Sequence, residues 1–246
     1  MKDNKLIYGV HPVLEALEAG KQLDKIFIKR GLKTEDTDSI YALAKEQMVP
    51  VLNVPQEKLD RITKKNHQGI IAFLCDIEYT QLDQLIPMLY ENGKSPFLML
   101  LDGLTDVRNF GAIARTAECA GVDAIIIPER NSVSVTGDAI KTSAGALHRI
   151  PVCRVSSIPA AIRMLHDNGI QVVAASEKTE NIFTEENLSL PLGIVMGAED
   201  TGPSQETLRL ADKIVTIPQT GSIGSLNVSV AAGILVYEVI RQQNIH

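Results

Sequence analysis

From Phe97 onward the chain carries short, continuous apolar runs: FLMLL (97–101), AIIIP (124–128), QVVAA (171–175), GIVMG (193–197) and KIVTIP (213–218). Helical patterns separate most of them. Apolar runs without polar alternation are what strands buried on both faces require, so this part predicts a parallel sheet covered by helices. Residues 1–76 use shorter elements. Val10 to Ala19 predicts an amphipathic helix with Val13, Leu14 and Leu17 on one face, and Lys25 to Ile28 a strand. Ser39 to Met48 predicts a helix that Ser39 can cap, Val51 to Val54 a strand stopped by Pro55, Gln56 to Ile62 a short helix, and Ile70 to Leu74 a buried strand. Between the two parts, Leu82 to Tyr90 has a helical pattern and Glu91 to Pro96 is a polar, turn-rich break. The expected organisation is a small α/β domain over 1–76, a linker over 77–94 and a larger α/β domain over 95–246.

The last apolar run leads into the stretch around which the chain is organised, TIPQTGSIGSLNVSVAAGILVYEVIR (216–241). It reads as a strand end at Ile214 to Ile217, a loop, and an apolar helix. Gly221 and Gly224 are expected to permit positive φ and close backbone approach to a ligand. Ser225 or Asn227 can cap the helix. Val228, Ala231, Ala232, Leu235 and Val239 form a stripe with little polarity around it, which predicts a helix buried on most sides. A capped core helix and a ligand site at its head are both compatible with that pattern.

Composition narrows the classes. The 246 residues are 45% hydrophobic and 22% charged, as in a globular protein. No long uncharged apolar run predicts a membrane span, and the N-terminus has no signal-peptide pattern. The three cysteines, Cys75, Cys119 and Cys153, are widely spaced in apolar surroundings and read as buried thiols of a cytoplasmic protein. The five histidines show no metal-ligand spacing. Net charge is −6, but residues 1–76 carry +1 against −7 for the remainder, so a nucleic-acid footprint would be a patch on the first domain. Lys64 and Lys65, in the turn before Ile70, are candidate phosphate contacts. The same turn also reads as a solvated loop.

Neither GxxxxGK[ST] nor a GxGxxG after the first strand occurs, which leaves P-loop and dinucleotide-binding metabolic enzymes unsupported. Instead Phe97 to Leu101 runs into DGLTDVRNFG (102–111) and a helix over 112–120. Asn109 can cap that helix. Arg108, Gly111 and Arg115 share a face, and Gly111 is expected to clear an approach to the Arg115 guanidinium, a fork suited to phosphate. The strand 193–196 opens into GAEDTGPS (197–204), two glycines at the carboxyl end of a strand, where ligands of α/β sheets bind.

These three stretches, in this order, resemble the motifs of the SpoU (TrmH) family of RNA ribose 2′-O-methyltransferases. Asn109 and Arg115 match NxxGxxxR, Gly197, Glu199, Gly202 and Ser204 match GxExxGxS, and Ser225 to Ala231 matches SLNVSVA. Many members have proline where Val107 stands. Tyr8 to Pro12 and His67 to Gly69 are similar, more loosely, to segments of the L30e-like RNA-binding domain found in one branch of the family. The resemblance implies a deep trefoil knot in the C-terminal domain, dimerisation through it, and S-adenosylmethionine bound by Gly197, Ile217 and Leu226. It implies catalysis by Arg115, Asn227, Ser225 and Glu199, RNA contacts at Asn109 and Arg108, and no metal. Domain order points to a guanosine of 23S rRNA as target. A tRNA-directed enzyme and a non-catalytic RNA-binding protein on the same fold are the alternatives.

Overall fold

The computed structural model describes residues 6–135 and 137–243. The chain forms two compact units that part between Glu78 and Tyr79.

The first unit contains β1 (Leu6–Tyr8), α1 (Val10–Glu18), β2 (Leu23–Lys29), α2 (Glu35–Glu46), β3 (Val51–Val54), α3 (Gln56–Ile62) and β4 (Ile70–Leu74). Its sheet has the order β1-β4-β2-β3, with β2 and β3 parallel and β4 antiparallel to both neighbours. Alternate residues divide between the two faces. Ile26, Ile28, Ile70 and Ala72 pack with Val13 and Leu17 of α1 and Ile40 and Ala44 of α2, while Phe27, Val54 and Ile71 pack with Leu59 of α3. Helix α2 starts earlier than its apolar pattern suggests. The N-cap is Thr34, whose hydroxyl accepts from Thr37 N while Thr37 Oγ1 accepts from Thr34 N. Glu35 and Asp36 then suit the helix dipole. Ser39 lies inside the helix and donates to the Glu35 carbonyl.

The second unit begins where a linker was expected. β5 (Tyr79–Thr80) joins the large sheet, and α4 (Leu82–Glu91) buries Leu82, Leu85, Ile86 and Leu89 in the main core. Then follow β6 (Phe97–Asp102), α5 (Val107–Cys119), β7 (Ala124–Pro128), α6 (Gly137–Thr142), a 3₁₀ turn (Ala146–His148), β8 (Val152–Val155) and α7 (Ile158–Asp167). β9 (Gln171–Ala175), β10 (Leu192–Gly197), α8 (Gln205–Leu210), β11 (Lys213–Val215) and α9 (Val228–Gln243) complete it. The seven strands run in the order β11-β9-β10-β6-β7-β8-β5, every pair parallel. β8 escaped the sequence pattern because Arg154 interrupts its apolar run. The guanidinium is buried, 3.8 Å from the centroid of the Tyr79 ring.

One register positions the site. β10 and β6 pair from Leu192↔Phe97 to Gly197↔Asp102, so both strands end at the same level. The loops leaving them start side by side. Helix α9 is buried or half-buried along most of its length, as its apolar stripe predicts, and Val230 and Tyr237, seven residues apart on one face, are each 52% exposed. One expectation is corrected: the thiols are not uniformly buried, since Cys153 is, Cys75 is half-buried and Cys119 is exposed.

Candidate active site

Helix α5 is capped by Asp106, whose Oδ1 accepts from the backbone N–H groups of Arg108 and Asn109 at 2.8 Å each. Asn109 is therefore not the cap. It lies in the first turn, where its amide is free to reach across to the loop after β10. Asn109 Nδ2 donates a hydrogen bond to Glu199 Oε1. Asn227 Nδ2 donates to the same oxygen at 3.2 Å and to Asn109 Oδ1 at 3.0 Å. Asn227 Oδ1 accepts from Ser229 N at 3.0 Å and from Ser229 Oγ. Asn227 thus caps α9, while Ser225, two residues earlier, stays exposed in the loop. All three sequence stretches meet in this polar cluster. Every amide atom in it has a definite role, and Glu199 Oε1 accepts from two N–H groups.

Arg115 lies further along α5, exposed and without an ion-pair partner among the described residues, and Arg108 is likewise exposed. Gly111 does not open a path to Arg115. A Cβ there would stand 2.7 Å from Thr142 Cβ and 2.9 Å from the Ala139 carbonyl oxygen, so the glycine permits α5 to pack on α6.

Beside the polar cluster is an open cleft. Gly197, Ile217, Ser225 and Leu226 line it with Ala175 and Thr201, and Val228 and Ala231 of α9 form part of its wall. The lining mixes apolar side chains with backbone groups at strand ends, as small-molecule sites do. Gly197 has a more local reason to be glycine than ligand approach. A Cβ there would stand 2.0 Å from Gly202 C and from Pro203 N. The loop folds back on this residue, held by Gly202 N donating to the Ala198 carbonyl at 2.9 Å, with Gly202 at φ +68°. Asp102 Oδ2 fixes the same loop by accepting from Ser204 N at 2.8 Å. Gly221 and Gly224 are exposed and keep φ outside the left-handed region, so their expected positive φ is not found. Sequence reasoning missed Asp102, Asp106 and Ser229. An aspartate at a strand end and one just ahead of a helix were the available signals.

The turn before β4 is an organised structure in the first unit. His67 is buried; its Nδ1 accepts from Gly69 N at 3.0 Å and its Nε2 meets Asp60 Oδ1 at 2.9 Å. The hydrogen bond from His67 holds the Asp60 carboxyl below its ordinary value. Gln68 Oε1 accepts from Val10 N, which joins the stretches 8–12 and 67–69. Lys64 is exposed, and Lys65 Nζ stands 5.4 Å from the centroid of the Tyr8 ring.

Two family models match the chain. One is described as the SpoU rRNA methylase family, over residues 96–237, and the other as RNA 2′-O ribose methyltransferase substrate binding, over residues 6–80. A Staphylococcus saprophyticus protein named as a TrmH family tRNA/rRNA methyltransferase is 37% identical over 239 residues, 97% of this chain and 96% of its own. A structure of an AdoMet-bound rRNA methyltransferase from Sinorhizobium meliloti aligns with a TM-score of 0.62 at 26% identity, over 97% of this chain and 87% of that one. Another, described as an RNA 2′-O ribose methyltransferase, aligns with a TM-score of 0.58 at 26% identity, over 97% and 88%.

Proposed function

The chain belongs to the SpoU rRNA methylase family, and on that premise we propose how its site methylates a ribose 2′-hydroxyl of RNA. It is an RNA methyltransferase, with S-adenosylmethionine as the methyl donor. The observation that carries the reading is the joining of Asn109, Glu199 and Asn227 beside an open cleft lined by Gly197, Ile217 and Leu226.

The residues present fit the cofactor. Ile217 and Leu226 would supply apolar contact for an adenine ring, and the backbone around Gly197 and Ile217 would supply hydrogen-bonding edges. The bound cofactor contributes an activated methyl group on a sulfonium, so the protein has to align the acceptor oxygen and stabilise it as it loses its proton. Arg115 is our choice for that stabilisation. A guanidinium is a poor base, but it can clasp the target phosphate and face the developing alkoxide. Asn227 is held by Glu199 and Asn109 and is thus placed to orient the ribose. Ser225, at the cleft, supplies a hydroxyl for the same purpose. Glu199 acts first as the anchor of both amides. Arg108 and Asn109, at the head of α5, contact the RNA.

The proposal extends to a deep trefoil knot formed by the C-terminal segment. In its support, residues 181–188 bond on one side to Thr216 and on the other to Gln242 of α9. It extends also to a homodimer through the second unit, supported by the exposed Val230 and Tyr237 on α9, and to a cytoplasmic location. The target we propose is a guanosine of 23S rRNA, read through an L30e-like first domain that Lys64 and Lys65 help to bind. The rRNA methyltransferase alignment spans both units, which favours rRNA over tRNA. Mapping ribose methylation in a strain lacking the gene tests this. Loss of one 2′-O-methyl group from 23S rRNA is the expected result. Loss from a tRNA would move the substrate, and no loss from any RNA would favour a non-catalytic RNA-binding protein.

A further inference from the structure

The first unit has two sheet faces, and only one is fully covered. The face under α1 and α2 is closed by aliphatic side chains. The opposite face carries two cross-strand rows, Leu6–Phe73–Lys25 and Tyr8–Ile71–Phe27–Leu52, read from the pairing of β1, β4, β2 and β3. The seven-residue helix α3 covers one end of it through Leu59, over Phe27, Ile71 and Val54. Beyond α3, Tyr8 and Phe73 remain half-buried and Leu52 is 43% exposed.

Ammonium groups stand over these rings. Lys25 Nζ is 5.3 Å from the Phe73 centroid, Lys58 Nζ is 4.7 Å from that of Phe27, and Lys65 Nζ is 5.4 Å from that of Tyr8. Phe27 and Phe73 meet edge to face at 5.1 Å. Among the nearby carboxylates, Asp24 pairs with Lys25 itself at 3.5 Å, and Asp60 is bonded to His67. A protein-binding patch would tend to exclude lysine from its centre. Aromatic faces interleaved with cations suit a strand whose bases stack and whose phosphates carry the charge.

We propose that this sheet face binds an unpaired segment of RNA, with bases stacked on Tyr8 and Phe73 and with Lys25, Lys58 and Lys65 turned onto the phosphates. The assignment rests on the RNA-methyltransferase reading and adds to it the class of RNA recognised by the first unit. Duplex RNA does not offer its base faces, so unpaired nucleotides are the matching ligand.

Binding of the full-length protein to labelled hexauridine, to a short RNA duplex and to a 23S rRNA transcript tests the assignment by anisotropy. Tyr8→Leu and Phe73→Leu retain apolar volume and remove the ring, and Lys58→Ala removes one exposed ammonium. Circular dichroism and S-adenosylmethionine titration report whether each variant is folded. The expected result is hexauridine binding by the wild type, little duplex binding, and a loss of roughly tenfold in each ring variant. Lys58→Ala should reduce the salt dependence of hexauridine binding. Unchanged hexauridine affinity in both folded ring variants would overturn the assignment, as would binding to the transcript without binding to hexauridine. In either case the methyltransferase reading stands. Absence of binding to any RNA by the wild type would remove both.

Discussion

We assign Arg115 a chemical role and no structural one. It is exposed, and Ile113 and Ala117 already turn the other face of α5 inward. Arg115→Ala should therefore change stability by no more than about 0.5 kcal/mol in thermal or urea unfolding. Methyl transfer should fall by ~10²–10³, the usual loss on removing one group that stabilises a developing oxyanion. Arg115→Lys keeps the charge, loses the fork, and should remain impaired. Asn227 differs because it caps α9 as well as binding Glu199, so Asn227→Ala should also lower stability, by about 1 kcal/mol. The thiols give a residue-scale check on the fold. Burial pushes the Cys153 thiol up to about 12, so it should resist a thiol reagent at neutral pH while exposed Cys119 reacts. Asn109, Glu199 and Asn227 were legible in sequence because each sits in a motif. Their mutual hydrogen bonds were not, because the contacts span 28 to 118 positions. The reason for each glycine was also hidden, since it depends on the atom opposite: Thr142 for Gly111 and Pro203 for Gly197.

At the scale of elements, close approach of α5 to α6 fixes the helix that carries Arg115. Gly111→Ala has no room beside Thr142 Cβ and the Ala139 carbonyl, and should cost more than the gain in helix propensity returns. A Tm lower than wild type is the expected reading. In the last turns of helix α9, Glu238 accepts from Arg241 Nε and Nη2 at 2.8 and 2.7 Å and from Gln242 Nε2 at 2.8 Å, all within the helix. The Arg241 hydrogen bonds hold the Glu238 carboxyl below its ordinary 4.5. A depressed carboxyl stabilises the fold above its ordinary value, and this contribution is lost as pH falls through the lower folded value. Glu238→Gln should therefore be less stable than wild type at neutral pH, with the gap narrowing below pH ~4 in acid-unfolding titrations. Sequence placed the elements best where apolar runs were uninterrupted, as in β6, β7 and β10. It failed where a single polar residue found an internal partner, as Arg154 did on Tyr79, and where an upstream capping box extended α2 beyond its apolar stripe.

Across the whole molecule, we propose that each unit contributes a different part of the reaction. The loops that leave β6 and β10 at one level, with the turn before α9, form the cleft that we assign to cofactor and acceptor within the second unit. The parallel sheet was legible from its apolar strands, whereas α4 looked like a linker because its short amphipathic pattern lies beside the polar break at 91–96. The first unit holds half of the chain's basic side chains. Charge reversal at Lys64 and Lys65 should weaken RNA binding most at low salt and leave S-adenosylmethionine affinity unchanged. We propose that the cluster of Asn109, Glu199 and Asn227, with Arg115, directs a methyl group onto a ribose oxygen of RNA. Single-turnover transfer from labelled S-adenosylmethionine to ribosomal RNA, with the modified nucleoside identified, tests it most directly. A 2′-O-methylated nucleoside is expected with wild type, and a ~10²–10³ slower reaction with Arg115→Ala at unchanged cofactor affinity. A methyl group found on a base, or wild-type turnover by Arg115→Ala, would contradict it.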